Sequence, residues 1–255
     1  MFEPIVYSRR REALRKILGK GVVLLPGNKE AAMNYPANTY HFRQDSNFLY
    51  FFGLNQPDLA GVIDLDGGVD ILFGDDFTLE DIIWMGPQPS MAERAALVGV
   101  EETRPLDELP AYLAKAMAEG RKIHFVPAYR GETQLWLAHL LGIRPAVQKN
   151  YASRELIKAI VALREIKEDQ EVEEIEKMID VAYLMHTTAM QMAHPGITEQ
   201  EIFGRMEGIA FSKANGTSFP IILSINGQTL HNHYHGNMLA GGQLMVSDAG
   251  AESAD

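Results

Sequence analysis

Cysteine is missing altogether from this 255-residue chain. That excludes a disulfide framework, a thiolate metal site and a cysteine nucleophile among these residues, and it agrees with a reducing setting. Long apolar runs are missing too: no window approaches the ~18 residues a membrane span requires. Met1 to Tyr7 contains Glu3 and no apolar stretch of signal-peptide length, so the expected location is cytoplasmic. Positive charge is scarce, with 23 Lys and Arg against 34 Asp and Glu and a net charge of −11. Such a balance argues against binding nucleic acid or an anionic membrane. The basic cluster Arg9-Arg10-Arg11 is diluted by Glu12 and reads as the solvated face of a short helix. There is no Gly-x-Ser-x-Gly element, no phosphate-binding glycine motif and no internal repeat.

What is present is an ordinary globular composition, 46% hydrophobic and 22% charged. That suffices for a sizeable core without covalent staples. Gly21 to Gly27 is a buried-strand pattern closed by turn residues. Gly61 to Leu65 and Val69 to Phe73 flank Asp66-Gly67-Gly68 and predict a β-hairpin. Helical patches follow at Met91 to Leu97 and Asp107 to Met117, then a strand at Lys122 to Val126 and a helix from Glu132 to Leu141. Together these predict an α/β layer structure with a partly antiparallel sheet. Phe48, Tyr50, Phe51 and Phe52 are expected in the core, on the ground that aromatics favour strands, and Trp84 is expected to pack as well.

The character changes near residue 160, where a dense charge run leads into a long helical pattern. Val172, Ile175, Ile179, Ala182 and Ala189 recur at helical steps and predict its buried face. Pro195-Gly196 ends it, and Thr198 with Glu201 forms a capping box for a second helix carrying Ile202, Met206 and Ile209. Strands are predicted at Phe219 to Ser224 and at Leu244 to Ser247.

His231, His233 and His235 alternate. On a strand all three would point to one face and suit zinc or a similar metal; off a strand they are scattered loop histidines. Asp248 stands where a strand ends, a rigid position for a carboxylate ligand and equally a common one for a turn former.

Phe42-Arg43-Gln44-Asp45-Ser46-Asn47-Phe48-Leu49-Tyr50-Phe51-Phe52-Gly53 is similar to the segment that marks the N-terminal domain of aminopeptidase P. Asn55 to Asp58 and Ile82-Ile83-Trp84-Met85-Gly86 resemble further signatures of that domain. Leu163 to Lys167 resembles the family's junction into its catalytic domain, and His194 to Glu199 its first interhelical turn. Leu230-His231 and Asp248-Ala249-Gly250 stand at the spacing the family shows.

The resemblance implies a ribonuclease-H-like mixed-sheet domain over residues 1–160, followed over 165–255 by an incomplete "pita-bread" domain. It implies a metallo-aminopeptidase that removes the residue before a proline in second position, using a hydroxide activated by two divalent ions, usually manganese. By the same resemblance Asp248 is a metal ligand, His231 acts beside the metals on substrate or developing charge, and Phe219 lines the substrate pocket. His233 and His235 are then not ligands. The family's second aspartate falls beyond residue 255, as do a histidine and two glutamates, so these residues alone are expected to be inactive. Peptides with proline second are the implied partners, and a homodimer or homotetramer the implied assembly. Prolidase, and a pita-bread module that has lost catalysis and binds partners, are the alternatives.

Overall fold

The structure is a computed structural model that describes residues 1–225, 227 and 231–254. Leu230, of the histidine segment, and Asp255 therefore lie outside the described residues. The chain divides into two compact units, Met1–Ile166 and Lys167–Asp255.

The first unit runs α1 (Pro4–Leu18), β1 (Val22–Pro26), β2 (Ala32–Tyr35), β3 (Asn38–Thr39), α2 (Ser46–Phe52), β4 (Ala60–Asp64) and β5 (Val69–Phe73). It continues with α3 (Leu79–Met85), α4 (Met91–Ala96), β6 (Glu102–Arg104), α5 (Leu109–Ala118), β7 (Ile123–His124), α6 (Gly131–Leu141), α7 (Gln148–Tyr151) and α8 (Arg154–Arg164). Its main sheet has the strand order β6-β5-β4-β1-β7. β4 pairs antiparallel with both β1 and β5, while β7 and β6 join as parallel outer strands. β7 is shorter than the pattern suggested, because the chain leaves β1 after His124 and the Phe125 carbonyl accepts from the Ser153 amide instead (2.9 Å).

β1 is an unbroken apolar run because both faces of the sheet are covered. Val23 and Leu25 join Ile63, Leu72, Leu14 of α1, the α2 aromatics and Leu156 of α8 in one core. Val22 and Leu24 join Val62, Ile71, Phe73, Leu113 of α5 and Leu137 of α6 in the other. Each fully buried Val or Leu here contributes about 1.5–3 kcal/mol.

Three sequence expectations need correction in this unit. Phe48, Tyr50, Phe51 and Phe52 are buried as expected, but on a helix rather than a strand. Asp45 caps that helix by accepting from the amides of Asn47 and Phe48 (2.8 and 3.1 Å), and left-handed Gly53 ends it. Local capping outweighs aromatic strand preference here.

The arginine cluster is not a solvated face: Arg10 and Arg11 are both buried. Arg11 donates to Asp70 Oδ2 (2.8 Å) and to the carbonyls of Phe51 (2.8 Å), Val98 (3.0 Å) and Gly99 (2.8 Å). Carbonyls at the ends of short helices lack partners within their own helix, and the planar guanidinium fork supplies donors for several at once.

Trp84 does not pack. It is 81% exposed, and no residue of α3 is buried.

The second unit contains α9 (Asp169–Met192), α10 (Glu199–Lys213), β8 (Ile222–Ile225) and β9 (Met245–Asp248). The buried stripe of α9 is Val181, Met185 and Ala189, whereas Val172, Ile175 and Ile179 of the expected face are exposed. The four-residue step from 181 to 189 selects the stripe that clusters with Ile202, Met206 and Ile209 of α10. The capping box forms as expected: Thr198 Oγ1 accepts from the Glu201 amide and Glu201 Oε2 from the Thr198 amide. β8 and β9 are an antiparallel pair, with Ile222 opposite Asp248 and Ile225 opposite Met245.

Candidate active site

Asp248 is the last residue of β9 and lies on the pleated pair beside Ile222. Its side chain is exposed, and among the described residues it has no hydrogen-bond or ion-pair partner. The residue on either side is held. His186 of α9 approaches the Ala249 carbonyl with Nε2 (3.1 Å) and Ser247 Oγ with Nδ1 (3.3 Å). A carbonyl only accepts, so the imidazole donates from Nε2–H and takes the serine hydroxyl proton's hydrogen bond at Nδ1. The carboxylate thus projects from a strand end whose two neighbours are fastened to a long helix.

Phe219 precedes β8 and is partly exposed. The Ser218 amide donates to the Gly250 carbonyl (3.0 Å), which draws this stretch alongside the Asp248-Ala249-Gly250 turn. A Cβ on Gly250 would lie 2.6 Å from Ser218 Oγ and 3.6 Å from the Phe219 ring, so the two stretches run in close contact. Phe219 and the Asp248 turn are brought together.

The three histidines are not. The described part of their segment is turn and irregular chain rather than a strand, so the alternation that would have aimed them at one face is lost. His231 and His233 are exposed. His235 is buried, its Nδ1 donating to the Leu223 carbonyl (2.9 Å) and its ring stacked on Phe203 with centroids 4.4 Å apart. Among the described residues no group of three or more His, Cys, Asp or Glu side chains is arranged to hold a metal. The Asp248 carboxylate is a suitable donor for a divalent cation, but one donor does not fit a metal pair.

Sequence reasoning missed two residues of this region. His186 gave no signal, being a lone histidine on a helix. Glu199 was overshadowed by its neighbour Glu201, which completes the capping box. Glu199 is fully buried at the first turn of α10. Its carboxylate accepts from the Ile225 amide (2.7 Å), the Asn237 amide (3.2 Å) and the Asn237 side chain (3.0 Å to Oε2).

Residues 7–149 match the family described as Aminopeptidase P, N-terminal domain, and residues 173–255 match Metallopeptidase family M24. The chain is 26% identical to a probable Xaa-Pro aminopeptidase of Aspergillus clavatus, covering 98% of this chain and 50% of that protein. It is 28% identical to a probable Xaa-Pro aminopeptidase of Talaromyces stipitatus, covering 98% and 49%. Among solved structures it resembles proline aminopeptidase P II from Yersinia pestis, with a TM-score of 0.82 and 22% identity over 99% of this chain and 61% of that one. Aminopeptidase PepP of Pseudomonas aeruginosa gives a TM-score of 0.83 at 20% identity, covering 99% and 60%. The fold is therefore the expected α/β one, a mixed-sheet unit followed by part of a pita-bread unit. The chain spans about half the length of the relatives it matches.

Proposed function

Because this chain belongs to the aminopeptidase P family, matched over residues 7–149, we propose that it serves a metal-dependent aminopeptidase acting on peptides with proline in second position. In this reading residues 1–160 are the N-terminal domain and 165–255 the opening part of the catalytic domain. The observation that carries it is the Asp248 carboxylate, exposed and unpaired at a strand end with both neighbours fastened by His186 and Phe219 beside its turn. A carboxylate kept rigid and without a partner is suited to an incoming cation. Asp248 is then a metal ligand, His231 a catalytic and substrate-binding residue, and Phe219 a wall of the peptide pocket.

The family reading calls for two divalent ions, most naturally manganese, and a hydroxide activated between them. The described residues offer no group of three ligands to hold such a pair. On that ground residues 1–255 alone are proposed to be inactive. No described helix is long and apolar enough to cross a membrane; a cytoplasmic setting and a homodimer or homotetramer belong to the same proposal. The alternative reading is a pita-bread module that binds partners without catalysis.

The test is manganese-dependent release of the first residue from an Xaa-Pro-Xaa peptide. Residues 1–255 are expected to be silent. A longer chain carrying a complete M24 segment is expected to be active and to lose activity on Asp248→Ala. Silence of the longer chain would favour the binding module, and activity of the shorter one would overturn the ligand argument.

A further inference from the structure

We infer that Glu199 is a positioning residue that sets where His231 stands. Its carboxylate reaches both ends of the segment that carries His231. Oε1 accepts from the amide of Ile225, the last residue of β8, and Oε2 from the amide of Asn237. The Asn237 side-chain amide spans both oxygens (3.2 and 3.0 Å). The Glu199 amide in turn donates to the Asn237 carbonyl (2.9 Å), and the attachment continues where the Leu239 amide donates to the Ile197 carbonyl (2.8 Å).

Helix capping does not account for this carboxylate, because Thr198 and Glu201 already perform it. Nor, among the described residues, does an ion pair: the hydrogen bonds to the Glu199 carboxylate come from uncharged amides. Burying an ion is unfavourable unless its hydrogen bonds compensate, and here they converge on the two anchor points of one segment. His235 adds a second tether, through Leu223 and Phe203, on the Asn237 side of His231. His231 itself stays exposed between these anchors, its position inherited from them.

The clamp stands on geometry alone, whereas its bearing on peptide hydrolysis rests on the proposed function. Hydrogen exchange resolved by peptide, on the 255-residue chain, tests the clamp. Glu199→Gln replaces one acceptor with a donor facing a donor and is expected to speed exchange over residues 223–225 and 231–239. Exchange in α9 and in Met1–Ile166 should stay as it was. Asn237→Ala, a milder change that removes one donor, is expected to do the same to a smaller degree. Glu199→Gln with Asn237→Asp reverses the side-chain pair and should recover part of the protection. Unchanged exchange, or a rise spread evenly through α9 and α10 with no recovery in the double variant, would overturn the inference.

In the longer, active chain, Glu199→Gln is expected to lower kcat/KM on the order of tenfold to a hundredfold, as small misplacements of reacting groups do. Localised exchange with undiminished hydrolysis would uphold the clamp and overturn the role of His231 in peptide chemistry.

Discussion

His186 and Ala249 are joined across the second unit by a hydrogen bond of 3.1 Å that decides the imidazole's tautomer. The carbonyl accepts, so Nε2 carries the proton and Nδ1 is left to receive the Ser247 hydroxyl. Long-range ¹⁵N–¹H spectra of the neutral ring are expected to place its proton on Nε2. His186→Leu should cost about 1–2 kcal/mol in a urea melt, since it leaves a part-buried carbonyl and a hydroxyl without their partner. His186→Gln, which can still donate to Ala249, should cost less.

Asp64 gives the first unit an acid-sensitive point. Burial alone would raise its pKa. Hydrogen bonds from Arg121, the Tyr112 hydroxyl (2.5 Å) and the Gly67 amide (2.7 Å), with the charge of Arg121, outweigh burial and hold it below the usual carboxylate range. A folded pKa below the unfolded value contributes stability that is present above about pH 4 and lost as the pH falls through the folded pKa. Asp64→Asn should therefore flatten the acid limb of a stability-against-pH curve below about pH 4, leaving its neutral-to-alkaline shape unchanged. An acid limb as steep as in the parent would refute this.

Gly61 has no room for a side chain. A Cβ there would lie 2.0 Å from the Phe52 ring, on the central strand β4. Gly61→Ala is expected to destabilise by about 1–3 kcal/mol through overpacking. Pairing it with Phe52→Leu should recover part of that loss, so the two substitutions should be non-additive in denaturant melts.

Asp248 should matter little to folding. It is exposed and has no partner among the described residues, so Asp248→Ala is expected to shift stability by no more than about 0.5 kcal/mol. With no group of three ligands among the described residues, millimolar manganese should leave the melting temperature of residues 1–255 unchanged, in both parent and variant. A manganese-dependent rise that vanishes in the variant would mean that a ligand group forms after all.

The features legible in the sequence were those decided by near neighbours. β1, the hairpin around Gly67, the Thr198 capping box and the strand end at Asp248 each follow from apolar alternation, turn residues or a cap within a few positions. The misreadings have more than one cause. Arg11 and Glu199 look like surface charges until carbonyls and amides far along the chain arrive to satisfy them. The α2 aromatics carried the right burial and the wrong element, because Asp45 and Gly53 decide the backbone there. The α9 face was misassigned because an apolar periodicity names a stripe without saying which part of it meets α10.

Arg11 has a consequence for how the first unit assembles. Its acceptors lie 40 residues away at Phe51, 59 at Asp70, and 87 and 88 at Val98 and Gly99. Until α2, β5 and the turn after α4 have all arrived, the guanidinium must stay in water or be buried with idle N–H groups, and the second option is costly. Intermediates that dock one or two of these elements gain nothing from it. The residue therefore raises contact order and ties distant parts of the unit into one transition, favouring slower folding and all-or-none loss of structure.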